Sequence, residues 1–123
     1  MRIFAFISAA VLVTGAAAAP SGDPAAGQKL FRQNCSVCHS TKENAAPGVG
    51  PNLFGVVGRK AGSLPDYSFS KAMVAFGQVW EQKNLALYLA NPATVVRGNK
   101  MGFPGLKDPQ KIDDIIAYLE TLK

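Results

Sequence analysis

Cys35-Ser36-Val37-Cys38-His39 is the stretch that decides the fold of this 123-residue chain. Cys-x-x-Cys-His is the attachment motif of a c-type haem, in which both thiols bond to vinyl groups of the macrocycle and the adjacent imidazole binds the iron. The chain contains two cysteines and one histidine, and all three lie in this pentapeptide. The motif therefore predicts one haem c, covalently held through Cys35 and Cys38, with His39 as an iron ligand.

Three other uses of these side chains compete with haem attachment. A thioredoxin-like redox pair would lie at a corner between a strand and a helix, and no strand pattern precedes Cys35. A structural zinc site takes four protein ligands, whereas this chain offers three of the usual Cys and His type. A disulfide across two residues closes a very small loop and adds little stability. Haem attachment is the preferred interpretation.

The N-terminal stretch has the pattern of a secretory signal peptide. A short positively charged start precedes an apolar run up to Val13, and small residues follow as far as Pro20. We predict a signal peptide over residues 1–18, cleaved near Ala18/Ala19, and a single domain over residues 19–123. The alternative is an uncleaved membrane anchor, which would leave little reach to the first predicted helix. Haem c is attached outside the bacterial cytoplasm, so we expect a periplasmic protein.

The charge and size of the chain limit its partners and its core. Lysine and arginine number 13 against 8 acidic residues, a formal net charge of +5. The basic residues are spread along the sequence, which favours acidic protein partners over nucleic acid. A core this small is marginal by itself, and a bound macrocycle would supply missing apolar surface. We therefore expect the haem-free protein to be largely unfolded.

The remaining sequence predicts an all-α fold of about four short helices joined by long loops. Asp23 and Asp108 each precede a proline and are suited to cap the first and last helices. The predicted helices run from Pro24 to about Asn34, from Ser70 to about Phe76, from about Glu81 to Ala90, and from Asp108-Pro109 onwards. Residues 40–69 and 93–106 are predicted to be irregular. Loops of this length need something to pack against, and a haem is a plausible object.

A second axial ligand is needed because one histidine cannot fill both positions on the iron. Methionine is the natural soft partner in electron carriers, and Met1 would leave with the signal peptide. Met73 lies in a short predicted helix, where methionine is more often core filling. Met101 lies in an irregular stretch that can place its thioether over a haem face. Local context favours Met101 and leaves Met73 open.

Over residues 22–123 the sequence resembles the class I c-type cytochromes, similar to the mitochondrial and bacterial soluble cytochromes c. Besides the Cys-x-x-Cys-His motif, the likeness rests on Gly50-Pro51-Asn52-Leu53, Gly55, Gly58-Arg59-Lys60, Trp80, Tyr88-Leu89, Asn91-Pro92, Gly98-Asn99-Lys100-Met101 and Ile116-Ala117-Tyr118-Leu119. The resemblance implies the class I cytochrome c fold, with loops wrapped around one covalently bound haem. It also implies a soluble one-electron carrier and not an enzyme.

The resemblance assigns roles to particular residues of this chain. It implies His39 and Met101 as the axial iron ligands, with Cys35 and Cys38 forming the thioether bonds. The carbonyl of Pro51 would accept the imidazole Nδ1–H, which orients the ring and raises its basicity.

Four further side chains would complete the site. Tyr88 would direct its hydroxyl towards the methionine sulfur, and Trp80 and Arg59 would lie beside the inner haem propionate. Asn99 is a further candidate donor there. Away from the haem, the resemblance implies that Gly27 and Phe31 pack against Ile115 and Tyr118, where the first and last helices cross. A bulky neighbour would explain a glycine inside a helix.

The sequence departs from the family pattern in several places. Phe69 replaces a tyrosine that often bonds a propionate, and Arg97 replaces a proline. The ring of lysines around the haem edge is thinner than in many members. Lys29, Lys60, Lys100 and Lys107 remain, but Asn34, Gly48, Ala93 and Thr94 are uncharged at positions that are often basic. Docking to an acidic partner through this edge is therefore less strongly indicated.

The interpretation that follows is a monomeric carrier that shuttles electrons between membrane or periplasmic redox complexes, as in a respiratory chain. Candidate partners are a quinol–cytochrome c oxidoreductase, a terminal oxidase, a photosynthetic reaction centre and a periplasmic dehydrogenase. We expect neither nucleic-acid binding nor stable membrane insertion after removal of the signal peptide. Two rivals remain: a five-coordinate haem enzyme in which Met101 is unbound, and a subunit fixed within a larger redox complex.

Overall fold

The computed structural model of the protein describes residues 9–12 and 21–123, and these residues contain five helices. They are α1 (Pro24–Asn34), α2 (Lys71–Phe76), α3 (Gln82–Ala90), α4 (Pro92–Val95) and α5 (Pro109–Glu120). No β-strand occurs within the described ranges, and an isolated antiparallel bridge pairs Lys60 with Val79. The predicted all-α class is confirmed. Most of the predicted signal peptide and its cleavage site lie outside the described residues.

Helix α1 begins and ends at the residues that the sequence predicts. The side chain of Asp23 caps the helix by accepting a hydrogen bond from the Ala25 N–H at 3.0 Å, and Pro24 occupies the first helical position. The helix ends at Asn34, and Cys35 is its C-cap. The haem motif therefore starts directly at the end of α1.

Helices α1 and α5 cross at Gly27. A Cβ atom at this position would fall on the backbone carbonyl of Asp114 and would lie 2.9 Å from Cβ of Tyr118. One turn further along, the rings of Phe31 and Tyr118 pack with centroids 5.4 Å apart. The bulky neighbour of Gly27 is thus the backbone of α5 itself, together with Tyr118.

Helix α4 was not expected, because Asn91-Pro92 predicts an end and residues 93–106 were predicted to be irregular. Asn91 is the C-cap of α3 and the N-cap of α4, while Pro92 is the first residue of α4 and is fully buried. Proline stops one helix because it lacks an N–H, but its φ angle suits the start of the next. The prediction is wrong for the first three residues of that segment.

The core lies where α5 meets α1, α3 and the segment before α3. The buried apolar residues of α5 are Ile112, Ile115, Ile116, Ala117, Tyr118 and Leu119. Leu85 and Tyr88 of α3 and the preceding Trp80 belong to the same core cluster, as do Phe31, Val56, Ala61 and Val96. Half-buried apolar side chains that include Cys35, Leu53 and Met101 pack against this cluster. In the part of the chain that the structure describes, no helix is both long enough and apolar enough to cross a membrane.

Candidate haem site

The Cys-x-x-Cys-His motif forms a tight turn at the end of α1. The N–H groups of Cys38 and His39 both donate to the carbonyl of Cys35, at 3.1 and 3.0 Å. Both cysteines are half-buried free thiols. Burial, with a smaller contribution from the charge of Cys38, raises the pKa of Cys35 to about 11. A thiol with such a pKa is protonated at neutral pH, unlike the reactive thiolate of a redox pair.

The His39 imidazole is prepared to bind a metal through one nitrogen. Its Nδ1 lies 2.7 Å from the carbonyl oxygen of Pro51, so Nδ1 carries the proton and donates it. Burial lowers the pKa of His39, and the nearby Arg59 charge lowers it further, although the Pro51 bond opposes both. Within residues 21–123, Nε2 has no hydrogen-bond partner. The ring is therefore neutral, with the Nε2 lone pair available.

Gly50 is a site residue whose role the sequence interpretation missed. Its N–H donates to the carbonyl of Cys38 at 2.8 Å, which fastens the Pro51 loop to the haem motif. A Cβ atom at Gly50 would lie 2.6 Å from Cε1 and 2.8 Å from Nδ1 of His39. Only glycine leaves room for the imidazole in this position. The signal was present as a glycine immediately before Pro51, whose carbonyl accepts the hydrogen bond from the histidine.

The side chain of Met101 is oriented by α3. The Tyr88 hydroxyl donates to the Met101 sulfur over 3.8 Å, and the sulfur-bearing side chain is half-buried. Burial raises the pKa of Tyr88 to about 12, so its hydroxyl stays a donor at neutral pH. The alternative ligand, Met73, lies in α2 and packs against the core cluster. Among the described residues, Met101 is the methionine whose sulfur receives a hydrogen bond.

Asn99 organises the Met101 loop. Its amide nitrogen donates to the carbonyls of Pro92 and Val96, at 2.9 and 2.8 Å. Its amide oxygen accepts a hydrogen bond from the Met101 N–H at 2.7 Å. Both amide hydrogens are thus engaged by backbone carbonyls. This arrangement fits a residue that shapes the methionine loop better than a donor to a haem propionate.

Two lysines hold the ends of the same loop. Lys100 Nζ donates to the carbonyl of Ser68 at 2.6 Å and lies 6.0 Å from the centroid of the Tyr67 ring. Lys107 Nζ donates to the carbonyl of Ala90 at the end of α3. The sequence resemblance places both lysines at the haem edge. The structure gives both ammonium groups an additional contact with the backbone.

Arg59 and Trp80 face each other across one short backbone pairing. Their main chains are joined by a hydrogen bond from the Trp80 N–H to the Arg59 carbonyl at 2.9 Å. The guanidinium donates to the carbonyls of Asn52 and Phe54, at 2.9 and 3.2 Å. Burial lowers the pKa of Arg59, with partial compensation by Asp66.

Trp80 is buried among aromatic rings. It is only 6% exposed, and its ring centroid lies 5.3 Å from that of Phe76 and 5.0 Å from that of Tyr88. No buried side-chain nitrogen among the described residues lacks a hydrogen-bond partner, and the indole N–H of Trp80 bonds none of these residues, so this group reaches the surface of the protein. A ligand carboxylate there would suit it.

The residues present fit a haem c. Two free thiols stand beside an imidazole whose Nε2 has no protein partner in residues 21–123. A thioether with an oriented sulfur, a buried indole and a guanidinium provide the other donors. Soft sulfur and imidazole ligands are those that haem iron accepts in electron carriers. The donor set and its half-buried apolar surroundings therefore suit a large, mostly apolar macrocycle.

Comparison with known proteins agrees with this assignment. The family model for cytochrome c matches residues 24–123. The chain is 50% identical over 105 residues to a cytochrome c2 of Rhodopila globiformis, covering 85% of this chain and 98% of that relative. It is 48% identical over 112 residues to a cytochrome c2 of Rhodomicrobium vannielii, covering 91% and 89%.

A solved structure shows the same fold. Cytochrome cH from Methylobacterium extorquens superimposes with a TM-score of 0.75 at 51% identity, covering 81% of this chain and 99% of that one. The fold and site thus define a small all-α protein built to hold a haem. The chain belongs to the cytochrome c family. Members of this family are electron carriers and not enzymes, so electron transport through haem c is the function at this level.

Proposed function

We propose that this chain carries single electrons between redox proteins through one haem c that is bonded to Cys35 and Cys38 and ligated by His39 and Met101. When bound, the haem supplies an iron that alternates between the ferric and ferrous states. The main observation in support is that each of the two donor side chains is oriented by a hydrogen bond. His39 bonds the Pro51 carbonyl, and Met101 accepts a bond from Tyr88. Donors held in this way stay in place through a change of charge on the metal.

The protein surroundings would favour the ferrous state. Methionine ligation raises a haem potential relative to two nitrogen ligands. The Tyr88 hydroxyl donates to the Met101 sulfur and so withdraws electron density from it. The ring of Trp80 packs against those of Phe76 and Tyr88, which places apolar surface beside this contact. Trp80 and Arg59 are proposed to receive the inner propionate, whereas we propose a positioning role for Asn99.

The location follows from the predicted leader. We propose that residues 1–18 are a signal peptide, that residues 19–123 are the mature domain, and that this domain works in the periplasm as a soluble monomer. Its partners there are the membrane and periplasmic redox complexes named above. The match to bacterial cytochromes c2 supports this proposal.

Potentiometric titration of the purified holoprotein under carbon monoxide tests the proposal. We expect a reversible one-electron transition and a ferrous spectrum that carbon monoxide leaves unchanged at neutral pH, because both axial positions are filled. Prompt binding of carbon monoxide by the wild-type protein would indicate an open position and would support the enzyme alternative instead.

A further inference from the structure

We propose that the surface groove between Arg32 and Lys42, beside the haem-motif turn, is the docking site of this chain, and that its partner is a redox protein whose own docking face carries carboxylates. This inference rests on the proposed electron-carrier function and deepens it, because it names the surface that meets the partner and the chemistry of that partner. It assigns docking to two cations outside the thinned ring of lysines.

The groove lies directly beside the proposed haem attachment point. Cys38 and His39 both line it, and so does Val37, which is 85% exposed. Arg32 lines the groove from the last turn of α1, and Lys42 lines it from the loop after the motif. An apolar residue with charged groups around it is the usual composition of a protein interface. A partner seated here would therefore contact the turn that bonds the haem, which gives the electron a short path.

Both cations are available to a partner. Arg32 and Lys42 are exposed, and within residues 21–123 both form hydrogen bonds through their backbones alone. Lys100 and Lys107 differ, because their ammonium groups donate to backbone carbonyls. A carboxylate that approached either of these lysines would have to compete with an existing hydrogen bond. Arg32 and Lys42 would give up water alone, which makes them the better partners for a carboxylate.

The net positive charge of the protein comes mostly from the segments around the groove. Residues 24–65, which contain α1 and the haem motif, carry five basic side chains and one acidic side chain, that of Glu43. Residues 66–123 carry seven basic and six acidic side chains, whose charges nearly cancel. Glu43 follows Lys42 in the sequence but does not line the groove. The local field therefore steers an acidic face towards the groove and a basic face away from it.

The backbone of the groove is fixed in shape before a partner arrives. The carbonyl of Lys42 accepts a hydrogen bond from the Asn52 amide at 2.8 Å. Next to it, the Tyr118 hydroxyl of α5 donates to Oγ1 of Thr41 at 3.5 Å, and both of these residues line the groove. Arg32 belongs to α1, which packs against α5. Little backbone entropy remains to be lost on docking, which helps a small and transient contact.

The test measures oxidation of the ferrous holoprotein by respiratory membranes of the source organism, and its co-sedimentation with them, between about 0.01 and 0.2 M salt. We expect the wild-type rate and bound fraction to fall about tenfold over this range, because salt screens the attraction between exposed charges. At the lowest salt, Arg32→Glu and Lys42→Glu should each lower both about tenfold, since an attractive charge is replaced by a repulsive one. The double variant should lose most of the salt dependence.

Lys83→Glu is the matched control, because Lys83 is also exposed but lies on α3, outside the groove. It makes the same change of net charge and should lower both measurements less than about twofold. Arg32 lies in the last turn of α1, where a positive charge favours the helix. If Arg32→Glu impairs haem attachment, Lys42→Glu decides the outcome.

Equal behaviour of Lys42→Glu and Lys83→Glu would overturn this docking site. Protein-free vesicles of lipid extracted from the same membranes distinguish a protein partner from an anionic lipid surface. Binding of the wild-type protein to these vesicles as strong as its binding to the membranes would overturn the protein partner. A wild-type protein that the membranes do not oxidise and that periplasmic extract does not reduce would overturn the carrier function itself.

Discussion

His39 and Met101 are each supported by a group that lies behind them. The Pro51 carbonyl fixes the imidazole, while Tyr88 and Asn99 fix the sulfur and the backbone of the methionine. Such supporting contacts orient a ligand and adjust its donor strength, and removing them weakens a metal site without removing a ligand. Single substitutions at the supporting residues should therefore change the haem signature while the fold persists.

Gly50→Ala should displace the imidazole. The added methyl group would lie within 3 Å of two atoms of the His39 ring, so the ring or the Pro51 loop must move. We expect a partial change of the iron to the high-spin state, measured by absorption and electron paramagnetic resonance. Gly48→Ala is the control, since its added methyl group meets only the Cys38 carbonyl at 3.4 Å. Equal behaviour of the two variants would contradict the role of Gly50.

Tyr88→Phe should lower the reduction potential. The lost hydroxyl no longer withdraws density from the Met101 sulfur, so the ferric state becomes relatively more stable. A weak hydrogen bond of about 0.5–1 kcal/mol corresponds to a shift of about 20–40 mV for one electron. Protein-film voltammetry measures this shift. A potential that stays unchanged or rises would show that the contact does not act on the sulfur.

At this scale the contacts of Pro51 and Tyr88 that the resemblance implies are present, but the contacts of Asn99 were not foreseen. The Cys-x-x-Cys-His motif can be identified from residue type and spacing, because few side chains bind haem iron, whereas local context only favours Met101 over Met73 and the resemblance selects it. The position of Asn99 could not be derived in this way. Its amide points to Pro92 and Val96, and that choice depends on a helix, α4, which the sequence did not predict.

The crossing of α1 and α5 is the main contact between helices, and it fixes the position of the haem motif relative to the core. Gly27 allows the two backbones to touch, and the Asp23 N–H at the start of α1 donates to the carboxylate of Asp114 on α5 at 2.9 Å. The hydrogen bond satisfies a group that the helix start leaves unpaired. The end of α1, and with it Cys35, is thereby fixed relative to the core.

Gly27→Ala should destabilise the folded holoprotein strongly. The methyl group would collide with the Asp114 carbonyl, which is backbone and cannot rotate away. We expect a loss of about 3 kcal/mol or more in the free energy of unfolding, measured with guanidinium chloride. Gln28→Ala, an exposed change on the same helix, should cost less than about 0.5 kcal/mol. A small effect of Gly27→Ala would mean that the helices can separate without penalty.

The helices themselves were largely predictable because their ends carry strong local signals. Asp-Pro begins α1 and α5, Ser70 caps α2, and Gly77 ends α2 in the left-handed conformation at φ 51°. The part of α5 that packs against Gly27 was harder to predict from the sequence. A glycine in a helix indicates a close neighbour, but whether a side chain or a backbone provides it depends on the register between two distant segments.

We expect the whole molecule to depend on its haem for a complete core. Residues 35–69 contain no helix beyond the motif turn, and much of their apolar surface is half-buried against the core cluster. Long loops of this kind lose conformational entropy on folding and need a packing partner. Haem removal should therefore affect the molecule globally.

Haem-free protein, made by substituting Cys35→Ala and Cys38→Ala, should be largely unfolded. Far-UV circular dichroism is expected to show most of the helical signal lost relative to the holoprotein. The physical reason is that a domain of this size gains too little from its remaining apolar surface to offset the entropy of ordering the loops. A spectrum like that of the holoprotein would contradict this dependence.

The central claim is that His39 and Met101 close the iron site together, and one comparison of ferric spectra tests it. A weak far-red charge-transfer band marks a bond between methionine sulfur and ferric iron. The account predicts this band in the wild-type protein and in Met73→Leu, and its loss in Met101→Leu. A band that persists in Met101→Leu and disappears in Met73→Leu would contradict the assignment of the ligand, and a wild-type protein without the band would contradict the closed site.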